Sequence, residues 1–442
     1  MPSWLIDSLA TTDALAEVFS DDSILRRMLE FEARLALAQG RHDVIPREAG
    51  EAIIAAAKDA DFDARELARD ARESGTIVIP LVKALTARVA SMDSAAARFV
   101  HFGATSQDVS DTVLALTLRR AQPIIAADHA RLEKALRDLS NRHATTVMLG
   151  RTLLQPAPPI TLGLKLARYV AAIVRGWSRV DAAFEAAALL QFGGASGTLA
   201  ALGARGPDVA RVLADAFVLR APVASWHTDR DRLAAVATAL GIYTATLGKI
   251  ARDLALLMQD EVGEAAEPGG GSSTMPHKRN PSGCAIALAA ASRMPGLVAA
   301  YLTGMTQEHE RAVGGWHGEW PTIAAIVQGT GAAVQALAGA FEQLAVDAAR
   351  MKANIDRTNG AIFAEKVVML AAPRAGKEAA QELVTRALDA SRRNGVSFRD
   401  ALANQPDVAE LLTADELRSI DTPEDYLGAA EPMRVALLAE TT

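Results

Sequence analysis

Chemically capable side chains are concentrated in one glycine-rich stretch, 269–283, which reads GGGSSTMPHKRNPSG. Glycine frees the backbone so that N–H groups approach a ligand closely, while Pro276 and Pro281 cannot continue a helix. Lys278 and Arg279 add positive charge next to serine hydroxyls. The spacing lacks the GxxxxGK[ST] pattern of a P-loop, and no βαβ unit frames the stretch. We interpret it as a mobile catalytic loop, against the alternatives of a solvated linker or another phosphate cradle.

A second polar stretch, 101–112, reads HFGATSQDVSDT and precedes a long helical pattern. Small hydroxyl and amide side chains at such a position either cap the helix or bind an anion at its positive end. The two functions use the same geometry. Local chemistry alone favours capping.

Arginine is the candidate for holding a carboxylate in two further clusters. Arg230 and Arg232 lie in WHTDRDR, where each either clamps a carboxylate through two hydrogen bonds or pairs with a neighbouring aspartate. Arg311 ends QEHER and is a candidate anion contact. The histidine and glutamate residues around it and in WHGEW form no HExxH motif, so we expect no metal site.

Composition predicts the elements that must position these groups. The chain has 442 residues, 50% hydrophobic and 5% aromatic, and it is rich in alanine, which favours long close-packed helices. We expect an all-α protein with three helical domains: 1–112, a central bundle of long helices over 113–350 that carries the 269–283 loop, and a small domain over 351–442. The wide apolar stripes of the central helices indicate a bundle shared between subunits. The run Ile77–Ile79 before Pro80 is the one convincing short strand pattern.

Charge and cysteine content limit the classes of partner. The formal net charge of −7 gives no reason to expect nucleic acid. A single cysteine, Cys284, excludes an intrachain disulfide, and its apolar neighbours predict core packing. The amino terminus has no basic segment of a signal peptide, and we expect no apolar run of the roughly 20 residues that span a bilayer. A cytoplasmic protein without membrane contact is predicted.

The segment GSSTMPHKRNP resembles the signature loop of the fumarase/aspartase superfamily, whose members add or eliminate a group beside a carboxylate. The resemblance implies that Ser272 is the base at carbon, that Lys278 and Asn280 hold a substrate carboxylate, and that Met275 contacts substrate. Removing a proton beside a carboxylate requires donors that stabilise the resulting dianion, and a serine alkoxide requires nearby positive charge and loop closure against water.

Other segments extend the resemblance. HFGATSQDVSDT is similar to the superfamily's first conserved block, which assigns substrate contacts to Thr105, Ser106 and Gln107 with His101 beside them. QFGGASGT is similar to a substrate-facing segment, with Ser196 and Thr198 as donors. The second conserved block is GRTLLQPAP at 150–158, and it supplies three further contacts: Arg151, Thr152 and Gln155.

The second block departs from the pattern of ammonia- and water-eliminating members. Leu153 stands where they carry a histidine cast as the acid for the leaving group, and Pro156 replaces a second histidine. A carboxylate has a conjugate acid with a pKa of ~4 and departs without such help. This chemistry suits the superfamily's bacterial cycloisomerases that lactonise 3-carboxy-cis,cis-muconate, which the chain resembles from about residue 15 to 432.

Membership of that branch implies a small anionic tricarboxylate substrate, no metal or organic cofactor, and a homotetramer whose sites each join the 101–112, 150–156 and 269–283 regions of three subunits. Three alternatives remain open. They are a C–N lyase similar to adenylosuccinate lyase, a cycloisomerase for a 3-sulfonated muconate, and a structural protein built on this scaffold.

Overall fold

The computed structural model describes residues 4–271, 274–275 and 278–440. Helices dominate these residues, which confirms the predicted all-α class. The helices before residue 220 are α1 (Trp4–Asp7), α2 (Asp13–Val18), α3 (Asp21–Arg41), α4 (Arg47–Lys58), α5 (Ala64–Ser74), α6 (Val78–Met92), α7 (Ser106–Arg142), α8 (Leu162–Ala187) and α9 (Gly206–Phe217). Those that follow are α10 (Asp231–Leu257), α11 (Ser282–Thr303), α12 (Glu319–Glu342), α13 (Ala348–Asp356), α14 (Ala364–Ala375), α15 (Lys377–Asn394), α16 (Phe398–Ala403), α17 (Val408–Leu411), α18 (Ala414–Ser419) and α19 (Ala430–Ala439).

The chain forms two compact units. The first comprises Met1–Ala130, Gly176–Lys249 and Ala285–Leu337, and the second comprises Arg131–Arg175, Ile250–Cys284 and Ala338–Thr442. Each unit interleaves distant parts of the sequence. The division into domains at residues 112 and 350 stays a prediction.

Helix α3 shows how the sequence sets an element of the first unit. The Ser20 hydroxyl accepts a hydrogen bond from the Ser23 N–H at 3.2 Å, and two aspartates occupy the first turn, where the helix dipole favours negative charge. Phe31 and Leu35, one turn apart, are buried in the core of this unit. Ser20 is therefore the N-cap of α3.

The strand predicted at Ile77–Ile79 is wrong, because Val78 opens helix α6. Its buried residues recur with the period of a helix and include Val78, Leu81, Leu85 and Val89. Pro80 lies in the first turn of the helix, where its missing N–H costs no intrahelical bond. The helical period therefore outweighs the local preference of three β-branched residues for a strand.

A β-hairpin in the second unit was not predicted. Strand β1 (Val147–Thr152) pairs antiparallel with β2 (Gln155–Thr161), and Leu153 and Leu154 form the two-residue turn. Both leucines have positive φ, 51° and 64°, as in a type I′ turn, which usually carries asparagine and glycine. Their side chains are 97% and 73% exposed.

Two further short strands lie on either side of the 269–283 loop in sequence. Strand β3 (Ala265–Ala266) pairs antiparallel with β4 (Ala345–Val346) in the second unit. Strand β3 lies just before the 269–283 loop. The pairing therefore anchors the chain on the entry side of that loop.

Three helices are long and apolar enough to cross a membrane by length and composition: α10, α11 and the segment from Trp316 through α12. The expectation that no apolar run reaches that length is therefore wrong. Most of the apolar stretch is buried within the chain in α10 and α12, whereas in α11 the buried share is 22%.

Candidate active site

A cavity of about 450 Å³ in the first unit brings together several predicted substrate contacts. It is lined by parts of α6, by the start of α7 and by the 311–317 segment. The polar residues among its lining are Ser74, Thr76, His101, Thr105, Ser106, Gln107, Arg311 and His317. The structure thus places Arg311 beside the 101–107 block, although some two hundred residues separate them in sequence.

Arg311 holds the two hydroxyls at the N-terminus of α7. Its Nη1 donates to Thr105 Oγ1, and its Nη2 donates to Ser106 Oγ at 3.2 Å. A guanidinium and hydroxyl groups at the positive end of a 37-residue helix form an arrangement that favours an anion. This geometry suits an anion, and the substrate-binding role of the block stays a prediction.

Asp108 fixes the block from inside the protein. Its fully buried carboxylate accepts hydrogen bonds from the backbone N–H groups of Thr105 at 3.0 Å and of Gly193 and Gly194 at 2.9 Å. The fourth contact joins it to His227 Nε2 at 2.8 Å. The carboxylate therefore ties the 101–107 block to the glycine turn that begins at residue 193.

Close backbone packing explains the glycines of that turn. A Cβ on Gly193 would lie 2.5 Å from the Cβ of Ser225. Gly194 has a φ of 69°, and a Cβ there would lie 2.8 Å from the Gly103 carbonyl oxygen. Ser196 and Thr198, further along the turn, are exposed and are not among the residues that line the cavity. Their substrate contacts stay predictions.

Arg230 forms the ion pair that the sequence left open as the alternative to a substrate clamp. The guanidinium is buried between two carboxylates and contacts Asp111 at 2.8 and 2.9 Å and Glu319 at 2.5 to 3.1 Å. The second N–H of its Nη1 donates to the Trp226 carbonyl oxygen at 3.5 Å. These contacts leave the guanidinium no donor for a substrate.

The Arg230 cluster carries two carboxylates for one cation. Burial raises the pKa of Glu319, and the like charge of Asp111 adds to that effect against the opposing influence of Arg230. Burial also raises the pKa of Tyr301, whose hydroxyl donates to Glu319 at 3.2 Å. Trp316 Nε1 donates to Asp111 at 3.1 Å, so the cluster supports the wall of the cavity.

Gln107 and His101 line the cavity with side chains that are already engaged. The Gln107 amide donates to the His227 carbonyl at 2.7 Å and to Asp111 at 3.1 Å. His101 Nδ1 contacts Glu32 at 2.7 Å. Burial alone would lower the pKa of His101, but the Glu32 carboxylate outweighs burial and raises it.

The signature loop belongs to the second unit. Ser272, the predicted base, lies outside the described residues. Lys278 and Met275 are exposed, and the Lys278 N–H donates to the Met275 carbonyl at 3.0 Å. The Asn280 N–H donates to the Gly270 carbonyl at 2.8 Å, which narrows the base of the loop.

The predicted contacts of the 150–158 block lie on the hairpin of the second unit. Arg151 pairs with the fully buried Glu264 through two hydrogen bonds of 3.0 and 2.5 Å, so two of its nitrogens are used within the fold. Thr152 and Gln155 face each other across the turn and are exposed. The substrate roles of all three stay predictions.

Sequence reasoning missed Asp108, Asp111, His227 and Glu319 as the residues that shape the cavity. Their contacts join positions 119 and 89 residues apart, and no local pattern reports such pairings. The two aspartates stand within the 101–112 stretch, but the prediction assigned them no role. Among the described residues, no group of three histidine, cysteine, aspartate or glutamate side chains is placed to hold a metal ion.

The helical fold and the anion-favouring site define an enzyme of the fumarase/aspartase type. The chain belongs to the lyase family, whose model matches residues 8–296, and a model of the adenylosuccinate lyase C-terminus matches residues 360–435. The resemblance found in the sequence is thereby confirmed.

Similar proteins narrow the class further. The chain is 44% identical to 3-carboxy-cis,cis-muconate cycloisomerases of Bradyrhizobium diazoefficiens, over 98% of this chain and 97% of the relative, and of Pseudomonas aeruginosa, over 99% and 96%. The crystal structure of the 3-carboxy-cis,cis-muconate lactonizing enzyme from Pseudomonas putida matches with a TM-score of 0.93 and 41% identity, over 99% of both chains. The predicted class of activity is confirmed by these full-length relatives.

Proposed function

We propose that this protein is a cycloisomerase that converts 3-carboxy-cis,cis-muconate to 4-carboxymuconolactone. The observation that carries the proposal is the full-length similarity to two cycloisomerases that act on this substrate. The cavity with Arg311, Thr105 and Ser106 supports it, because these donors suit a substrate carboxylate.

The reaction joins one carboxylate oxygen to an alkene carbon and adds a proton to the neighbouring carbon. Electrons of the double bond move toward the adjacent carboxylate as the C–O bond forms, so a dianion develops there. In this proposal Lys278 and Asn280 stabilise that charge, and Ser272 delivers the proton. In the reverse direction Ser272 removes the same proton.

The sequence at the hairpin tip fits this chemistry. The leaving group of the reverse reaction is a carboxylate, which is stable as an anion at neutral pH and needs no proton. Leu153 stands at the position of the histidine acid of other members and cannot transfer a proton. Because this reaction needs no acid there, a leucine at that position is compatible with activity. This leucine and the similarity to cycloisomerases together support placing the chain in the cycloisomerase branch of the superfamily.

We propose that the active form is a cytoplasmic homotetramer. Helix α11 supports assembly, since its apolar stretch is 22% buried within one chain and a partner subunit would cover the rest. Each site would join the 101–112, 150–156 and 269–283 regions of three different subunits. Activity should then be lost on dissociation, and an active monomer would contradict the proposal.

The test is the loss of muconate ultraviolet absorbance when the purified protein meets 3-carboxy-cis,cis-muconate. The Ser272→Ala variant is run beside it and should retain its fold and lose nearly all turnover. A 3-sulfonated muconate is the second substrate, because a sulfonate is an anion that the same donors can bind. Turnover of the sulfonate alone would move the substrate assignment to that analogue.

A C–N lyase activity is the second candidate, and the match of residues 360–435 to the adenylosuccinate lyase C-terminus favours it. Such a lyase would use an acid to protonate its departing nitrogen, and Leu153 cannot supply one. Cleavage of adenylosuccinate by this protein, without turnover of the muconate, would establish the lyase instead.

A further inference from the structure

A buried carboxylate closes the base of the signature loop. Glu267 is 4% exposed, and it precedes the loop. Its Oε2 accepts a hydrogen bond from the Gly283 N–H at 2.7 Å, and its Oε1 accepts one from the Cys284 N–H at 3.0 Å. One side chain therefore joins the two ends of the segment that carries Lys278 and Asn280.

The two donors belong to the first turn of α11, which begins at Ser282. N–H groups in the first turn of a helix have no partner within the helix, and the end of the helix is electropositive. A carboxylate there satisfies both the hydrogen bonds and the charge. Glu267 does so from 16 residues upstream, across the loop, instead of from the usual capping position.

A second contact narrows the loop just above Glu267. The Asn280 N–H donates to the Gly270 carbonyl at 2.8 Å. Gly271 and Arg279 form an isolated antiparallel β-bridge. Gly270 has a φ of 70°, and a Cβ there would lie 2.1 Å from the Asn280 carbonyl oxygen. The backbone of Asn280 is thus held directly to the chain segment that follows Glu267.

Glu267 is itself held in place. Strand β3 precedes it and pairs with β4. On the other side of β3, the buried Glu264 binds Arg151 and accepts a hydrogen bond from Asn354 Nδ2 at 2.7 Å. A side chain that directly follows a paired strand and is itself buried has little freedom, so it can transmit a fixed position to the loop.

We propose that Glu267 is a positioning residue for the reaction. Its carboxylate sets the distance between the two ends of the loop and thereby the place at which Lys278 and Asn280 meet the developing dianion. The proposal rests on the proposed function of these two residues. A helix cap without that role would affect folding and leave turnover in the folded protein unchanged.

The test compares Glu267→Gln with Glu267→Asp and with Glu261→Gln. Glutamine keeps the size and loses the charge, while aspartate keeps the charge and withdraws it by one methylene. Glu261 is an exposed glutamate of the same segment and serves as the matched control. Circular dichroism first shows that each variant folds, and size-exclusion chromatography shows that it assembles as the unchanged protein does.

We expect both Glu267 variants to lower kcat for 3-carboxy-cis,cis-muconate by roughly 10- to 100-fold, since small misplacements of reacting groups have effects of that order. KM should change less, and Glu261→Gln should match the unchanged protein. A folded Glu267→Gln variant with unchanged kcat would overturn the proposal.

A readout without turnover follows from Cys284, the only cysteine of the chain. Burial raises the pKa of its thiol, and Glu267 raises it further, so the thiol should react slowly with a disulfide reagent. Opening the base of the loop should speed that labelling and the hydrogen exchange of residues 268–284. Unchanged exchange and labelling in Glu267→Gln would overturn the proposal even for an enzyme that turns over a different substrate.

Discussion

Arg230 and Asp111 form a buried ion pair through two parallel hydrogen bonds of 2.8 and 2.9 Å. Glu319 binds the opposite edge of the same guanidinium. The arrangement places a rigid polar cluster directly behind the cavity wall formed by Trp316. The arginine therefore shapes the site without reaching into it.

Replacing Arg230 by methionine should lower the free energy of unfolding. The change leaves Asp111 and Glu319 buried with no cation, and loss of one partner from such a cluster costs about 3–5 kcal/mol. The free energy of unfolding in urea measures the loss. Arg232→Met, at an exposed position two residues away, is the control and should change it by less than about 0.5 kcal/mol. Equal effects of the two changes would contradict the structural role of Arg230.

The His101–Glu32 pair should make stability depend on pH. The pKa of His101 is raised above its ordinary value of 6.5 because Glu32 favours the charged ring. A raised pKa means that the folded state binds the proton more tightly than the unfolded state. The resulting stability is fully present below pH 6.5 and is lost as the pH rises through the folded-state pKa.

His101→Asn removes this titration and keeps a residue that tolerates the positive φ of 57° at this position. The difference in unfolding free energy between the two proteins should be larger at about pH 5.5 than at about pH 9. Urea unfolding at several pH values gives the profile. A difference that grows as the pH rises would have the opposite sign and exclude a raised pKa.

Arg311→Lys should weaken substrate binding. Arginine bonds Thr105 and Ser106 through separate nitrogens, and a lysine ammonium cannot reproduce that fork. A lost hydrogen bond to a charged group is worth about 1.5–3 kcal/mol, so KM for the muconate should rise by roughly 10- to 100-fold. Steady-state kinetics measure the change, with the exposed Arg26→Lys as control. An unchanged KM would remove Arg311 from the binding site.

Elements with a strong period were predictable from the sequence, while contacts between distant segments were not. In helix α16, for example, the buried residues Phe398, Ala401 and Leu402 recur with the period of a helix. The 147–161 hairpin was missed because Leu153 and Leu154 carry no turn signal and because prolines in β2 argue against a strand.

The candidate site divides in the same way. The 101–107 block was predicted from its small polar residues and Arg311 as an anion contact, and the structure places both at one cavity. The Asp108 contacts to Gly193 and His227 depend on the folded arrangement, since they join residues 85 and 119 positions apart. Local patterns therefore located the groups that face the cavity, and they missed the carboxylates that hold those groups in place.

Replacing the Leu153–Leu154 turn tests whether the tip of the hairpin contributes to the active site of another subunit. Replacing the pair by Asn-Gly relieves two non-glycine residues with positive φ, each of which costs about 1–2 kcal/mol. The unfolding free energy should rise accordingly.

The same variant should lose activity. Backbone strain and exposed apolar side chains that occur together are retained for a functional reason, so kcat/KM should fall when the leucines are removed. Val218→Asn is the matched control, because Val218 also combines a positive φ with an exposed side chain and belongs to the first unit, not to the hairpin. It should stabilise the protein without changing turnover. Full activity in the Asn-Gly variant would show that the tip contributes nothing to a neighbouring site.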